Sequence, residues 1–154
     1  MEQRKQLIVS AIENGTVIDH IPVDSLFTAV KILDIENLTE QVTIGFNFGS
    51  KKFGKKGIIK VANKFFEDKE LDKIALVAPS ATIITIKDFQ IIEKRTVGVP
   101  KTIGNIAKCI NPKCITNIQE VACKFTVIDN EDEPLKLKCH YCEKYTTLDH
   151  IEFK

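Results

Sequence analysis

The sequence predicts an α+β chain in two parts. The first is a ferredoxin-like N-terminal sandwich, an antiparallel sheet with helices on one face; the second is a small all-β domain held together through cysteine. Two observations carry this. Up to about residue 97 the apolar pattern reads strand, helix, strand, strand, helix, strand, with extra strand at the edges, the order of a split β-α-β unit. Beyond residue 100 the strands become short, and all five cysteines of the 154 residues lie after position 108. A chain of this length holds one main core plus a small stapled module.

Taken in order, Leu7 to Ile12 (LIVSAI) is a short apolar run that reads as a buried strand. Asn14-Gly15 signals a turn, and Thr16 to Ile21 is extended up to Pro22. Asp24 or Ser25 can cap a helix reaching Leu33, with Leu26, Phe27, Val30 and Leu33 on one face. Val42, Ile44, Phe46 and Phe48 alternate with polar or small residues, so Gln41 to Phe48 reads as a half-buried strand. Residues 49–57 (GSKKFGKKG) read as a basic, glycine-rich, mobile loop, followed by a strand from Ile58 to Ala62 that Asn63 to Phe66 extend. Asp68 caps a helix to Leu76; past Pro79, Thr82 to Ile86 and Phe89 to Ile92 are strands bent at Lys87-Asp88. Arg95 to Lys101, with Gly98 and Pro100, reads as a linker between a domain spanning 1–97 and another spanning 101–154. In the second domain Val121, Cys123, Phe125 and Val127 alternate along a strand. An acidic turn follows at residues 130–133, and Leu135 to Lys138 and Tyr145 to Thr147 are short strands.

The totals exclude several classes. No apolar run is long enough to span a bilayer, and Met1 to Gln6 is polar, unlike a signal peptide, so a cytoplasmic protein with no membrane partner is expected. Net charge is +1, and residues 101–154 carry eight Lys against eight Asp or Glu, which argues against a zinc-ribbon nucleic-acid module. No Walker-type loop, GxGxxG or nucleophile motif is present, so no catalytic residue is assigned.

Cys109 and Cys114 enclose four residues, Cys139 and Cys142 two, and 24 residues separate the pairs. A structural zinc ion takes four such thiolates in a tetrahedron, two from each tight turn. Lys108, Lys113, Lys138 and Lys144 stand beside them to offset the charge of four thiolates. Disulfides fit a reducing compartment poorly, a redox pair needs a βαβ setting, and iron–sulfur spacings differ. One Zn²⁺ per chain at Cys109, Cys114, Cys139 and Cys142 is therefore expected. Cys123 reads as a small buried hydrophobe, and His140 as surplus to a filled tetrahedron.

In the first domain, polar residues interrupt apolar strands: Asp19 and His20 between Ile18 and Ile21, Lys60 between Ile59 and Val61, and Lys94 after Ile91-Ile92. One such lysine is ordinarily a solvated strand face, whereas Asp19-His20 on an apolar strand needs partners. Together they suggest an anion or polyol site.

The segment Gly15 to Pro22 (GTVIDHIP) resembles the hallmark segment of the regulatory chain of aspartate carbamoyltransferase. The similarity continues through Thr43-Ile44-Gly45, Lys56, Ile59-Lys60, Ala78-Pro79, Ala81-Thr82, Lys94, the four ligand cysteines and Cys139 to Lys144 (CHYCEK). This resemblance implies a non-catalytic allosteric subunit. Its N-terminal domain binds ATP or CTP and pairs with a second regulatory chain, forming a homodimer. Its zinc domain grips the catalytic chain of pyrimidine biosynthesis. It implies a nucleotide site of Val9, Ser10, Ala11, Ile12, Val17, Asp19, His20, Lys60, Ile86, Phe89, Ile91 and Lys94, and a catalytic-chain contact at Asn111, Lys113 and Glu143. The chain departs from the family pattern at Ser10, Ile84 and Phe89, where a longer acidic residue, Asn and Tyr are familiar.

Overall fold

The computed structural model describes residues 11–51, 54–130 and 132–154. In chain order its elements are β1 (Gly15–Ile21), α1 (Leu26–Ile32), β2 (Val42–Ser50), β3 (Gly54–Ala62), α2 (Asp68–Val77), β4 (Thr82–Lys87) and β5 (Gln90–Thr96). The five strands form one antiparallel sheet in the order β2-β3-β1-β4-β5. The first four strands and two helices are the ferredoxin-like sandwich expected from the sequence, and β5 is added at the edge by a hairpin.

The central strand β1 divides the sheet into two faces. Ile18 stands opposite Ile59 and Ile83, and these three pack with Leu26 and Ala29 of α1 and Leu71 and Ile74 of α2. Strict alternation would send Ile21 to the other face from Ile18. The register shifts between them, where His20 takes a left-handed φ of 57°, and this bulge returns Ile21 to the core, fully buried. At the start of β1, Gly15 has φ 140°, and a Cβ there would run into the carbonyl oxygen of Val61.

Several local expectations change. The strand read over residues 7–12 lies mostly outside the described residues, and Ala11 and Ile12 are irregular chain. Neither Asp24 nor Ser25 caps α1 with its side chain; a 3-10 turn over Val23–Ser25 starts the helix, with Ser25 N donating to Pro22 O at 2.9 Å. Phe27 is not in the core. It is 61% exposed and meets the Phe46 ring of β2 at 5.5 Å, while Ala29 takes the buried position. Residues 49–57 are mostly strand: β2 runs to Ser50 and β3 starts at Gly54, with Phe48 opposite Lys56, Gly49 opposite Lys55 and Ser50 opposite Gly54. Asn63 ends β3 with a left-handed φ of 58°, so residues 63–66 do not extend it. Glu67, not Asp68, precedes the first turn of α2. Phe89 belongs to a turn, since Asp88 and Phe89 have φ of 51° and 63°, the primed two-residue hairpin geometry. Arg95 and Thr96 are still strand, so the connection begins at Val97.

The second part contains β6 (Thr102–Ile103), β7 (Ala107–Lys108), the single-turn α3 (Ile115–Ile118), β8 (Phe125–Ile128), β9 (Lys136–Cys139), β10 (Tyr145–Thr147) and β11 (Glu152–Phe153). The sheet order is β10-β9-β8-β6, and β7 pairs with β11 as a separate ribbon. The predicted strand from Val121 is shorter than its apolar alternation: β8 begins at Phe125, and Cys123 is buried in the core ahead of it without a ladder partner. Phe125, Leu137, Ile103 and Ile106 form the core, and Leu76 of α2 joins them, 1% exposed. Lys73 Nζ of the same helix donates to Lys154 O at 2.6 Å. Among the described residues no helix is long and apolar enough to cross a membrane.

Gly15→Ala is expected to destabilise the first core by on the order of 2 kcal/mol or more, from left-handed strain plus the collision with Val61. Chemical denaturation followed by far-UV circular dichroism measures it; an unchanged midpoint contradicts this account of the β1 start.

Candidate metal centre and polar sheet face

Four sulfur atoms converge at one end of the second part. Cys109 follows β7, Cys114 precedes α3, Cys139 ends β9, and Cys142 lies in the turn to β10. Their Sγ atoms all lie within 4.8 Å of one another. Cys109 and Cys142 are 3.6 Å apart, Cys114 and Cys139 3.7 Å. The edge of a tetrahedron with metal–sulfur bonds of ~2.3 Å is about 3.8 Å, so the thiols already stand at ligand separations.

Both turns are braced by the chain itself. Cys114 N donates to Asn111 O at 3.0 Å, and Asn117 Nδ2 donates to Cys109 O at 2.9 Å and to Asn111 O at 2.7 Å. In the second turn Glu143 N donates to Cys139 O at 3.0 Å, with Glu143 at a left-handed φ of 61°. Burial pushes the Cys109 and Cys139 thiols above the ordinary range. Burial also acts against ionisation of Cys114 and Cys142, but hydrogen bonds outweigh it. Thr116 lowers Cys114, donating Oγ1 to the sulfur at 3.2 Å. Lys144 N–H and the Asn111 side chain bring Cys142 down to about 7. The donors are thus in place for thiolate ligands.

Cys123 is buried apart from the cluster, its N–H donating to Asn105 Oδ1 at 3.2 Å. His140 is exposed and packs edge-on to Tyr141 at 5.5 Å; it is not in the four-residue group. Lys108 is 3.8 Å from Glu152. Lys113 and Glu143 are exposed beside the knuckles, whereas the Asn111 side chain serves its own turn, accepting from Lys113 N at 3.1 Å.

The second candidate site is the sheet face away from the helices. Val17 pairs directly with Lys60 on one side and Ile84 on the other, and Ile84 pairs with Lys94. Residues directly opposite share a face, so two lysines flank two apolar side chains in a single row. Asp19 stands two residues along β1, opposite Thr82; Ile86 pairs with both Gly15 and Ile91. Burial pushes the Lys60 ammonium below the ordinary lysine value, and Asp19 opposes this. His20, reoriented by the bulge, sets Nδ1 3.3 Å from Thr82 Oγ1. Phe89 sits at the hairpin tip, its N–H donating to Glu13 O at 2.9 Å, which ties the chain before β1 to this end of the sheet. Ala11 and Ile12 belong to that incoming segment; Val9 and Ser10 lie outside the described residues.

Reasoning from the sequence missed Lys56 as a member of this face. Its Nζ donates to Asp19 Oδ1 at 2.8 Å, and the same oxygen accepts from His20 N at 2.7 Å. The signal was the alternation Lys56, Ile58, Lys60, hidden by reading residues 49–57 as a loop.

Comparison with known proteins decides the family. Residues 7–98 match the allosteric domain of the aspartate carbamoyltransferase regulatory chain, and residues 101–152 match its metal-binding domain. The chain belongs to this family. A regulatory chain from Bacteroides fragilis is 51% identical over 143 residues, covering 93% of this chain and 92% of its own length. One from Thermococcus sibiricus is 52% identical over 142 residues, covering 91% of each. One from Pyrococcus abyssi is 48% identical over 141 residues, covering 90% of this chain and 91% of its own. This is accordingly a regulatory chain rather than a catalytic one, and its cysteine cluster is the centre of the metal-binding domain.

Cys114→Ser is expected to lower bound metal in the purified regulatory chain below about half an equivalent, because three thiolates cannot fill a structural tetrahedron. Elemental analysis reads the result; full retention of metal would show that Cys114 is not a ligand.

Proposed function

We propose that this chain is the allosteric subunit through which ATP and CTP adjust the aspartate carbamoyltransferase catalytic chain, and so de novo pyrimidine biosynthesis in the cytoplasm. In this reading residues 1–97 bind the effector and residues 101–154 hold the catalytic chain. The observation that carries it is the cross-strand row Lys60, Val17, Ile84 and Lys94, with Asp19 beside it. An apolar strip bounded by cations and one carboxylate is a surface for a flat base joined to a sugar and an anion.

Each residue has a role in this proposal. Lys94 and His20 meet the triphosphate as charge and donor. Asp19, steadied by Lys56, accepts from a ribose hydroxyl, and Lys60 donates to sugar or base. Val17, Ile86 and Ile91 form apolar walls, Phe89 closes the hairpin end, and main-chain groups of Val9, Ser10, Ala11 and Ile12 read the base edge. Ile84 offers no hydrogen bond at the centre of the row, so the base is read mainly by main chain, which admits both purine and pyrimidine.

The metal is proposed to be zinc, one per chain: four sulfurs at tetrahedral separations suit it best. When bound it supplies no reaction, since four protein ligands leave no open position; it fixes the two knuckles. Those knuckles carry the proposed catalytic-chain contact at Asn111, Lys113 and Glu143. Around them Ile110, Ile115, Ile118 and Tyr141 are exposed, which gives an apolar centre with a polar rim. A second regulatory chain is proposed to pair at the other end of the molecule, along β2. This is a sheet edge, and Phe27, Ile44 and Phe46 are exposed beside it.

Calorimetry on the full chain tests the effector site. Lys94→Ala is expected to weaken ATP and CTP alike, by roughly ten- to a hundredfold, because it removes one charge-assisted contact to the shared triphosphate. Lys60→Ala should instead change the ratio of the two affinities. Unchanged binding of both nucleotides by Lys94→Ala removes that residue from the site, and ATP hydrolysis by the pure chain overturns the regulatory reading.

A charge reversal addresses the partner surface. Glu143→Lys is expected to weaken assembly with the catalytic chain while metal content stays at one equivalent. Undiminished assembly in analytical ultracentrifugation would move the contact elsewhere.

A further inference from the structure

We propose that Arg95 is a coupling residue that ties the effector face of the sheet to the metal-binding domain through α2. This rests on the effector-site reading above and names its route to the second domain. The argument begins with strand alternation. Lys94 pairs with Ile84 and lies on the polar face, whereas Arg95 pairs with Ile83 and lies on the helix face. Neighbouring residues of one strand therefore look toward the proposed triphosphate and toward α2. Arg95 Nη2 donates to Asp68 Oδ1 at 3.2 Å, and its Nε lies 3.4 Å from Glu93 Oε1. Asp68 is the first residue of α2, and Asp72 follows one turn later on the same side. Partial burial and then Asp68 hold the Asp72 carboxyl above its usual range, while Arg95 opposes this. A small cleft lined by Asp68, Asp72, Arg95 and Gly98 brings this cluster against the start of the interdomain connection.

The helix carries the displacement onward. Its ten residues are one rigid rod of about 15 Å. Asp68 stands at the end beside β5, and Leu76 at the other end is buried in the core of the metal-binding domain. Lys73, in the last turns, holds Lys154 O. A shift of β5 on nucleotide binding pulls the Asp68 end, and because the helix is rigid Leu76 moves with it, so the second core must follow or a gap opens there. The ion pair is half exposed at Arg95 and open at Asp68, so it adds little to stability. It can thus be cut without unfolding either domain.

The test uses the assembled complex of this chain with its catalytic chain. The quantity read is the factor by which saturating ATP or CTP changes the aspartate concentration at half-maximal rate. Arg95→Gln and Asp68→Asn are each expected to reduce that factor about two- to fivefold, and the double variant no further. Nucleotide affinity of the chain by calorimetry and the melting temperature should stay at wild-type values, which a merely structural role would not allow. An Arg95→Gln complex with the full wild-type factor overturns the proposal, as does a double variant in which the two losses multiply. A wild-type complex indifferent to both nucleotides would overturn the effector reading itself, and this inference with it, so the two failures are told apart.

Discussion

The position of β1 between β3 and β4 is the constraint on which the first domain depends. A strand paired on both sides has no backbone group left for other work, so its side chains alone decide what each face does. On one side Ile18 and, through the bulge at His20, Ile21 seal the sheet onto α1 and α2. On the other side Val17 and Asp19 face away from the helices. The bulge keeps the arrangement consistent. Without the extra residue, one of the two isoleucines would be stranded on the polar face, and His20 could not reach Thr82.

The second domain answers a different problem. Its core draws on the first domain: Leu76 of α2 sits among Ile103, Ile106 and Phe125. A module of some fifty residues made of two- to four-residue strands buries too little apolar surface to stand alone. Four convergent thiols and a borrowed leucine supply what its own hydrophobic residues do not. The same economy explains why the knuckle residues are so thoroughly hydrogen-bonded: Asn117 holds two carbonyls of the first turn, and Thr146 Oγ1, fully buried, accepts from Ile110 N at 3.3 Å.

Much of this was legible in the sequence, for identifiable reasons. Cysteine spacing has a narrow physical meaning, and the four cysteines that converge were readable without any fold. The strand–helix order came from period-2 and period-3.6 patterns that tertiary packing did not overturn. What failed was local. Phe27 fits a helical apolar face, but the groove beneath α1 is filled by Leu26, Ala29 and Leu33. Lysines and glycines at residues 49–57 look like a loop, because a hairpin tip on a sheet edge needs no apolar residue to hold its ladder. Phe89 at a positive φ breaks the usual preference for Gly or Asn there, so the bend read at Lys87-Asp88 fell one residue short of the turn at Asp88-Phe89. Lys56 was missed for the same reason as its strand. The short strands β6, β7 and β11 are two residues each, below the length at which alternation carries a signal.

The two borders of the large sheet differ in character. Beside β2 lie Phe27, Ile44 and Phe46, while β5 follows its exposed Ile91 and Ile92 with the charged run Glu93, Lys94, Arg95, and a register shift between Thr85 and Ile86 kinks the ladder behind it. Charge and irregularity of that sort repel an incoming strand. The charged run makes strand addition along β5 less favourable than along β2. A fibre grown by strand addition needs two welcoming borders on every copy, so this asymmetry works against one.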